Sequence, residues 1–305
     1  MFDIVHIVLT LLLFLVLSIL NMGIIIKVKA FFGGRCGAPV LQKMYDLIKL
    51  IQKSIKLSTT TSWIFFAGPL LALIVPFFAF FFLPFASIPP IISFEGDFLL
   101  FVYLFGLLRF FTTSSALDTS SSFEGMGTAR ELTFSFLIEP ILFVCLIILA
   151  KGTSSLTLFG FFGYHILDAW QDYSTIFGIV VVCFLVILLV ENSRIPFDDP
   201  ATHLELTMIH EAMVLDHSGP LLAAILLGGA MKFTVYAVLI VDLVIPFKTG
   251  ILFYDTLIAI AGVLGVGVIV GIIESVMARL QLISIKKVLL GTLIVSLFGI
   301  ILITR

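Results

Sequence analysis

Residues 174–220 read STIFGIVVVCFLVILLVENSRIPFDDPATHLELTMIHEAMVLDHSGP. Through Val190 the run is almost wholly apolar. From Glu191 it carries six carboxylates and three histidines, and at Gly219 an apolar run resumes. A helix that crosses hydrocarbon needs roughly 20 apolar residues, and backbone in lipid must satisfy its own hydrogen bonds. A titratable block between two such runs therefore marks a loop at a membrane surface. The rest of the chain agrees, with 61% hydrophobic and 12% charged residues, 32 phenylalanines in 305 and a mean hydropathy of +1.25. That is too little polar surface to coat a soluble core. The fold class expected is an all-α integral membrane protein, one polytopic domain over 1–305.

Eight segments have the length and composition of spans: about 4–26, 63–86, 98–117, 131–150, 174–193, 219–245, 252–277 and 287–304. The first lacks a basic n-region and an A-x-A-like cleavage site, so it reads as a retained helix and not as a signal peptide. Prolines 69, 76, 84 and 140 fall within the apolar runs, where neighbouring helices re-satisfy the freed backbone. Cys36, Cys145 and Cys183 are far apart and form no CxxC pair, so they cannot build an iron–sulfur or zinc site within this chain. They read as small buried hydrophobes.

Basic residues orient the chain. Twelve of the 17 Lys and Arg fall in the odd-numbered loops, seven of them in the first (Lys27, Lys29, Arg35, Lys43, Lys49, Lys53 and Lys56). Only Lys151, Lys248 and Arg305 lie on the other side. By the positive-inside rule the odd loops are cytoplasmic and both termini face outward, across the inner membrane of a cell. Three cytoplasmic loops are expected, at 27–62, 118–130 and 194–218. Within the first, 44–55 (MYDLIKLIQKSI) places apolar Met44, Leu47, Ile48, Ile51 and Ile55 against polar Asp46, Lys49 and Lys53 at helical spacing. That suits an amphipathic helix at the inner interface, or a docking surface for a peripheral partner.

Arg109, Glu139, Glu191, Lys232 and Glu274 lie in or at the ends of spans. An ionised side chain at a helix centre costs roughly 2.5–3.5 kcal/mol on the insertion scale, so these five are expected to face the bundle interior, to pair, or to line a hydrated path. Arg109, Glu139 and Lys232 fall near mid-membrane, Glu191 and Glu274 near the cytoplasmic side. Buried ion pairs that hold helices together are the plain alternative to a proton path. His203, His210 and His217 recur every seven residues. On one helix, successive members would sit roughly 10.5 Å apart along the axis. One metal ion cannot bridge that distance, and His210-Glu211 does not open an HExxH motif. Asp199 and His203, spaced i,i+4, suit a local hydrogen-bonded pair. No metal site is expected.

Four motifs carry a resemblance. GRCGAPVLQKMYDLIKL (34–50) is similar to RRGPGVLQxxxDxxKL, and ALDTSSSFEGMGTARELTFSFLIEP (116–140) to GLDTGSxFxxxGASRExxxxxLxEP. ENSRIPFDDPATHLEL (191–206) is similar to ExxxxPFDLxEAExEL, and ESVMARL (274–280) to ENSMARL. Together they resemble the subunit that joins the soluble and membrane arms of respiratory complex I (NADH dehydrogenase subunit 1). The pattern is nearest to the group 4 NiFe hydrogenase branch, which includes formate hydrogenlyase subunit 4 and hydrogenase-4 component C. The resemblance covers essentially the whole chain.

It implies a membrane-anchor and coupling subunit without catalysis or a redox centre of its own, inside an oxidoreductase complex. The cofactors it implies, iron–sulfur clusters and a NiFe centre, belong to partners: a hydrogenase-like large subunit, an iron–sulfur small subunit and antiporter-like membrane subunits. The lipid bilayer is the remaining partner, and nucleic acid is not one. Arg109, Glu139, Glu191, Lys232 and Glu274 would form the ion path for protons or sodium. Arg35, Asp46, Lys49, Asp118, Glu124, Arg130, Glu131, Arg194, Asp198, Asp199, His203, Glu205, His210, Glu211, Asp216 and Arg279 would face the peripheral arm, on loops that in complex I enclose a quinone. Ala201 and His203 replace two acids of the family pattern, Asp199 replaces a leucine, and about three residues are inserted before Asp216-His217-Ser218-Gly219. Cys36 replaces an arginine, and Ala38-Pro39 the usual Pro-Gly. These departures predict that the quinone site is lost. A nickel-free relative of the hydrogenases, or a quinone-chamber subunit of an NADH dehydrogenase, would share these motifs. A stand-alone secondary transporter is the alternative class, against which stand the absence of an internal repeat and the gathering of polarity on one face.

Overall fold

The computed structural model describes residues 4–163, 165–198, 209–246 and 249–304. Among them are eleven α-helices and no strand. Eight are long and apolar enough to cross a membrane: α1 (Ile4–Phe32), α3 (Ile64–Ala79), α4 (Asp97–Asp118), α5 (Ser122–Thr153), α7 (His165–Glu191), α9 (Gly219–Val244), α10 (Leu252–Val276) and α11 (Leu282–Ile303). The other three are short: α2 (Gln42–Ile51), α6 (Leu158–Phe161) and α8 (His210–Met213).

Each expected span is present, and five differ in extent, among them α11, which starts at Leu282 and not near 287. α1 runs on to Phe32 and α5 starts at Ser122, well before the hydrophobic run. Beyond the hydrocarbon a helix needs only good helix formers, not apolar ones, so hydropathy does not register the overrun. The loop expected at 118–130 is therefore a tight turn between Asp118 and Ser122, with Ser120 at φ +60°. α7 starts at His165 and is interrupted at Tyr173, where the backbone leaves helical geometry (φ −126°, ψ 32°), next to the expected start of the span. In α3, Pro69 and Pro76 are internal, but the helix tightens into a 3₁₀ turn at Phe80–Phe82 and Pro84 lies outside it. The amphipathic helix appears as α2. It buries no residue completely and leaves Tyr45, Ile48 and Ile51 exposed.

α9 forms the centre of the bundle, packing on α1, α2, α3, α7 and α10. Its apolar window is 72% buried against 22% for α11, so α11 lies at the periphery. α9 meets α3 at backbone contact, for a Cβ on Gly228 would fall 2.0 Å from the Ala72 carbonyl oxygen. Of the cysteines, Cys145 and Cys183 are buried as expected, whereas Cys36 is exposed in the turn after α1, a correction to its reading as a core residue.

Because the spans alternate in direction, the basic loops gather at one end of the bundle. The C-terminal ends of α1, α4, α7 and α10 and the starts of α3, α5, α9 and α11 all meet there.

Candidate functional site

At that end a cavity of about 480 Å³ lies between α1, α2, α4 and α9. Lys43 and Asp46 of α2 line its inner part, Met22, Leu108 and Ile225 give apolar wall, and Arg109, Glu131, Glu191 and Lys232 line its polar end.

Arg109 organises the polar end. It sits nine residues inside α4, about 14 Å from the helix end. Its guanidinium binds Glu139 of α5 at 2.5 Å and Glu191 at the end of α7, with Glu131 of α5 at 4.0 Å. Lys232 of α9 takes the second oxygen of Glu191 at 3.4 Å. The fork of a guanidinium suits this role, since one planar cation can serve several carboxylates. The five groups converge on Arg109 and Glu191, with Glu131 and Glu139 reaching Arg109 from about two turns apart on α5. Glu191, expected nearer the cytoplasmic side, is at the depth of Arg109 because α7 ends there. Glu139 departs from expectation differently. It pairs with Arg109, yet 43% of its side chain is exposed on the outer surface of α4 and α5. Gly106 of α4 lies beside it, and a Cβ there would stand 3.8 Å from the Glu139 carboxylate, an ordinary contact.

A second cluster lies nearer the end that bears the basic loops. The Glu274 carboxylate on α10 is fully buried, 2.8 Å from Lys29 on α1 and 3.3 Å from Arg194, whose guanidinium stands 5.9 Å above the Phe233 ring. A third joins two loops: buried Asp198 accepts from Arg279 at 3.1 Å and from the His210 backbone amide at 3.0 Å. The Leu280 amide adds a bond to the Pro196 carbonyl at 2.9 Å, so the ESVMARL segment is latched to the ENSRIPFD segment.

The remaining expected residues surround these clusters. Glu124 is buried and accepts from the Thr119 hydroxyl and from the Asp216 amide at 3.2 Å. Asp118 accepts from the Ser62 amide at 2.5 Å and its hydroxyl at 2.8 Å, which ties α4 to the start of α3. Asp46 accepts from Gln42 at 3.0 Å. Arg35 and Lys49 are exposed, Arg130 is partly exposed on α5, and the Asp216 side chain is exposed. His210 and Glu211 line the cavity. Burial holds the His210 imidazole neutral, its pKa lowered to about 4 with a smaller push from Lys232. His217 is also buried and lowered to about 4; it stacks on Phe65 with ring centroids 4.1 Å apart and shares a hydrogen bond with Ser115 at 3.2 Å. Asp199, His203 and Glu205, with the Asp199–His203 pair, lie outside the described residues.

Two residues join the site that sequence reading left out. Lys29 counted only toward orientation, because α1 was expected to stop before it. Tyr236 is 1% exposed, its hydroxyl has no hydrogen-bond partner among the described residues, and it lies within electrostatic reach of Glu191, Arg109 and Glu139. The signal for it was its i+4 spacing from Lys232 on α9.

The comparisons accord with this arrangement. Hydrogenase-4 component C of Escherichia coli (strain K12) is 29% identical over 288 residues, which cover 90% of this chain and 87% of that protein. Formate hydrogenlyase subunit 4 of the same organism is 28% identical over 281 residues, 89% of each. The solved structure of the membrane-bound sulfane sulfur reductase, an archaeal respiratory membrane complex, contains a chain of the same fold, with a TM-score of 0.81 at 19% identity over 97% of both chains. The NADH dehydrogenase family model matches residues 5–304, from the first span to the last, and the chain belongs to that family.

Proposed function

We propose that this protein is the membrane-anchor and coupling subunit of a complex-I-like, group 4 hydrogenase-type assembly. It holds the redox arm at the face bearing the basic loops, taken as cytoplasmic, and links electron transfer there to movement of protons or sodium. The observation that supports this most is the ordered set of ion pairs. Asp198–Arg279 lies at the loop surface, Glu274 with Lys29 and Arg194 beneath it, and Arg109 with Glu131, Glu139 and Glu191 at mid-membrane. Iron–sulfur clusters and a nickel–iron centre belong, in this reading, to a small and a large partner subunit and supply the electron chemistry.

This chain's own residues do the electrostatic work. Arg109 is surrounded by more carboxylates than one cation can neutralise, so a proton gained by Glu131, Glu139 or Glu191 is offset by re-pairing of the guanidinium with the others. Lys232 takes the second oxygen of Glu191, so that carboxylate is shared by two cations. The latch between residues 196–198 and 279–280 is the element by which a change at the peripheral arm would reach Glu274.

The cavity supports a second reading, in which an amphipathic molecule such as a quinone enters between α1 and α2 and places its head near Arg109 and His210. Purification from membranes with the neighbouring genes expressed tests the main proposal. The chain is expected to bring iron–sulfur subunits with it. Recovery of a chain that is active alone in liposomes would establish a transporter instead. Loss of a photoreactive quinone label when Met22→Trp narrows the cavity would support the second reading.

A further inference from the structure

The feature that the pairing inside the chain leaves open is the outer side of Glu139. By helix rise it lies about 26 Å from the inner end of α5 and about 18 Å from Lys151 at the outer end, within the hydrocarbon of a bilayer about 30 Å thick. One carboxylate oxygen is held by Arg109, while 43% of the side chain faces out between α4 and α5. An ionised group does not remain against lipid tails. Its surroundings are aromatic and equally uncovered: Phe136, one turn away on α5, is 78% exposed, and Tyr103 on α4 is 67% exposed with its ring set edge-on to Phe143 at 5.9 Å.

Charge identifies what belongs there. Within the cluster, Arg109 and Lys232 face Glu131, Glu139 and Glu191, so with all five ionised one negative charge is left over. Of the three carboxylates Glu139 is the most exposed, with side-chain exposures of 19% for Glu131 and 4% for Glu191. With all five ionised, that charge is presented at the chain's lateral surface, at hydrocarbon depth, where a basic side chain of another subunit complements it.

We infer that the α4–α5 face around Glu139 seats a transmembrane helix of a neighbouring subunit, and that this helix presents a basic side chain to the Glu139 carboxylate. The inference rests on the chain being a subunit of a membrane complex. The aromatic rim around Phe136 and Tyr103 supplies the packing, and the carboxylate sets the depth of the partner helix.

Photo-crosslinking in the assembled complex tests it. Phe136→p-benzoylphenylalanine and Tyr103→p-benzoylphenylalanine, on two different helices, are each irradiated in the purified complex, and the adducts are sequenced by mass spectrometry. Both are expected to capture the same apolar segment of another subunit, with Lys, Arg or His within one helical turn of the attachment point. Adducts to lipid alone, or to a segment without a basic residue, in a complex that retains its redox partners overturn the inference and leave the proposed function standing. A chain that never assembles with partners overturns both.

Discussion

Lys29 stands 2.8 Å from Glu274 and joins the C-terminal end of α1 to that of α10, two helices far apart in the chain. Arg194 reaches the other oxygen of the same carboxylate at 3.3 Å, so one buried acid is shared by two cations from separate elements. Glu274→Gln keeps the shape and hydrogen-bonding capacity but removes the charge and the titratable proton. The complex is expected to assemble, while ion translocation falls by about a hundredfold, the size of a lost acid–base step. Ion uptake by reconstituted vesicles checks it, and wild-type translocation would remove Glu274 from the path.

Arg109→Met leaves three carboxylates around a neutral side chain. Breaking a buried ion pair in this way costs about 3–5 kcal/mol, so thermal unfolding in detergent should shift down sharply. Arg109→Lys restores the charge without the fork and should recover stability only in part. Equal melting of both variants and the wild type would show that the cluster is not structural.

Asp198→Ala removes the acceptor that Arg279 and the His210 amide share. A hydrogen bond to a charged group contributes about 1.5–3 kcal/mol, so the 196–198 and 279–280 segments should separate and co-purification of peripheral subunits should drop about tenfold or more. The membrane fold, followed by circular dichroism, should be unchanged. Undiminished co-purification would place the docking surface elsewhere.

His217 has its pKa lowered to about 4 by burial, against 6.5 for the free side chain, so the unfolded chain binds the extra proton first as pH falls. Its contribution to stability is complete above pH 6.5 and is lost progressively as pH drops from there toward 4. His210 follows the same course. Proteolysis of the 209–218 loop should accelerate across this interval, and His217→Gln should flatten the dependence. A protection profile independent of pH would contradict the burial of both imidazoles.

The spans were legible because lipid imposes a length and a composition on anything that crosses it. Outside the hydrocarbon that constraint lapses, which is why the overrun of α5 to Ser122, the kink at Tyr173 and the position of Lys29 on α1 were not. Arg109, Glu139, Glu191, Lys232 and Glu274 stood out by the cost of charge in an apolar run. Their pairing did not, since it depends on which helices are neighbours and where each ends. Glu139 meets Arg109 across two helices, a relationship that no single segment displays.

The early start of α5 has a mechanical consequence. Glu124, bonded to the Asp216 amide in the loop before α9, and Glu139, bonded to Arg109 in the membrane, ride on one unbroken helix. Fifteen residues, about 22 Å of axis, separate them. Pro140 leaves the Phe136 carbonyl without its helical partner, so the softest turn of α5 is the one that carries Glu139 and the shaft from Glu124 to Phe136 is uninterrupted. A push on the Asp216 loop would arrive at Arg109 as a displacement of the whole shaft, with no chain of side chains needed to relay it.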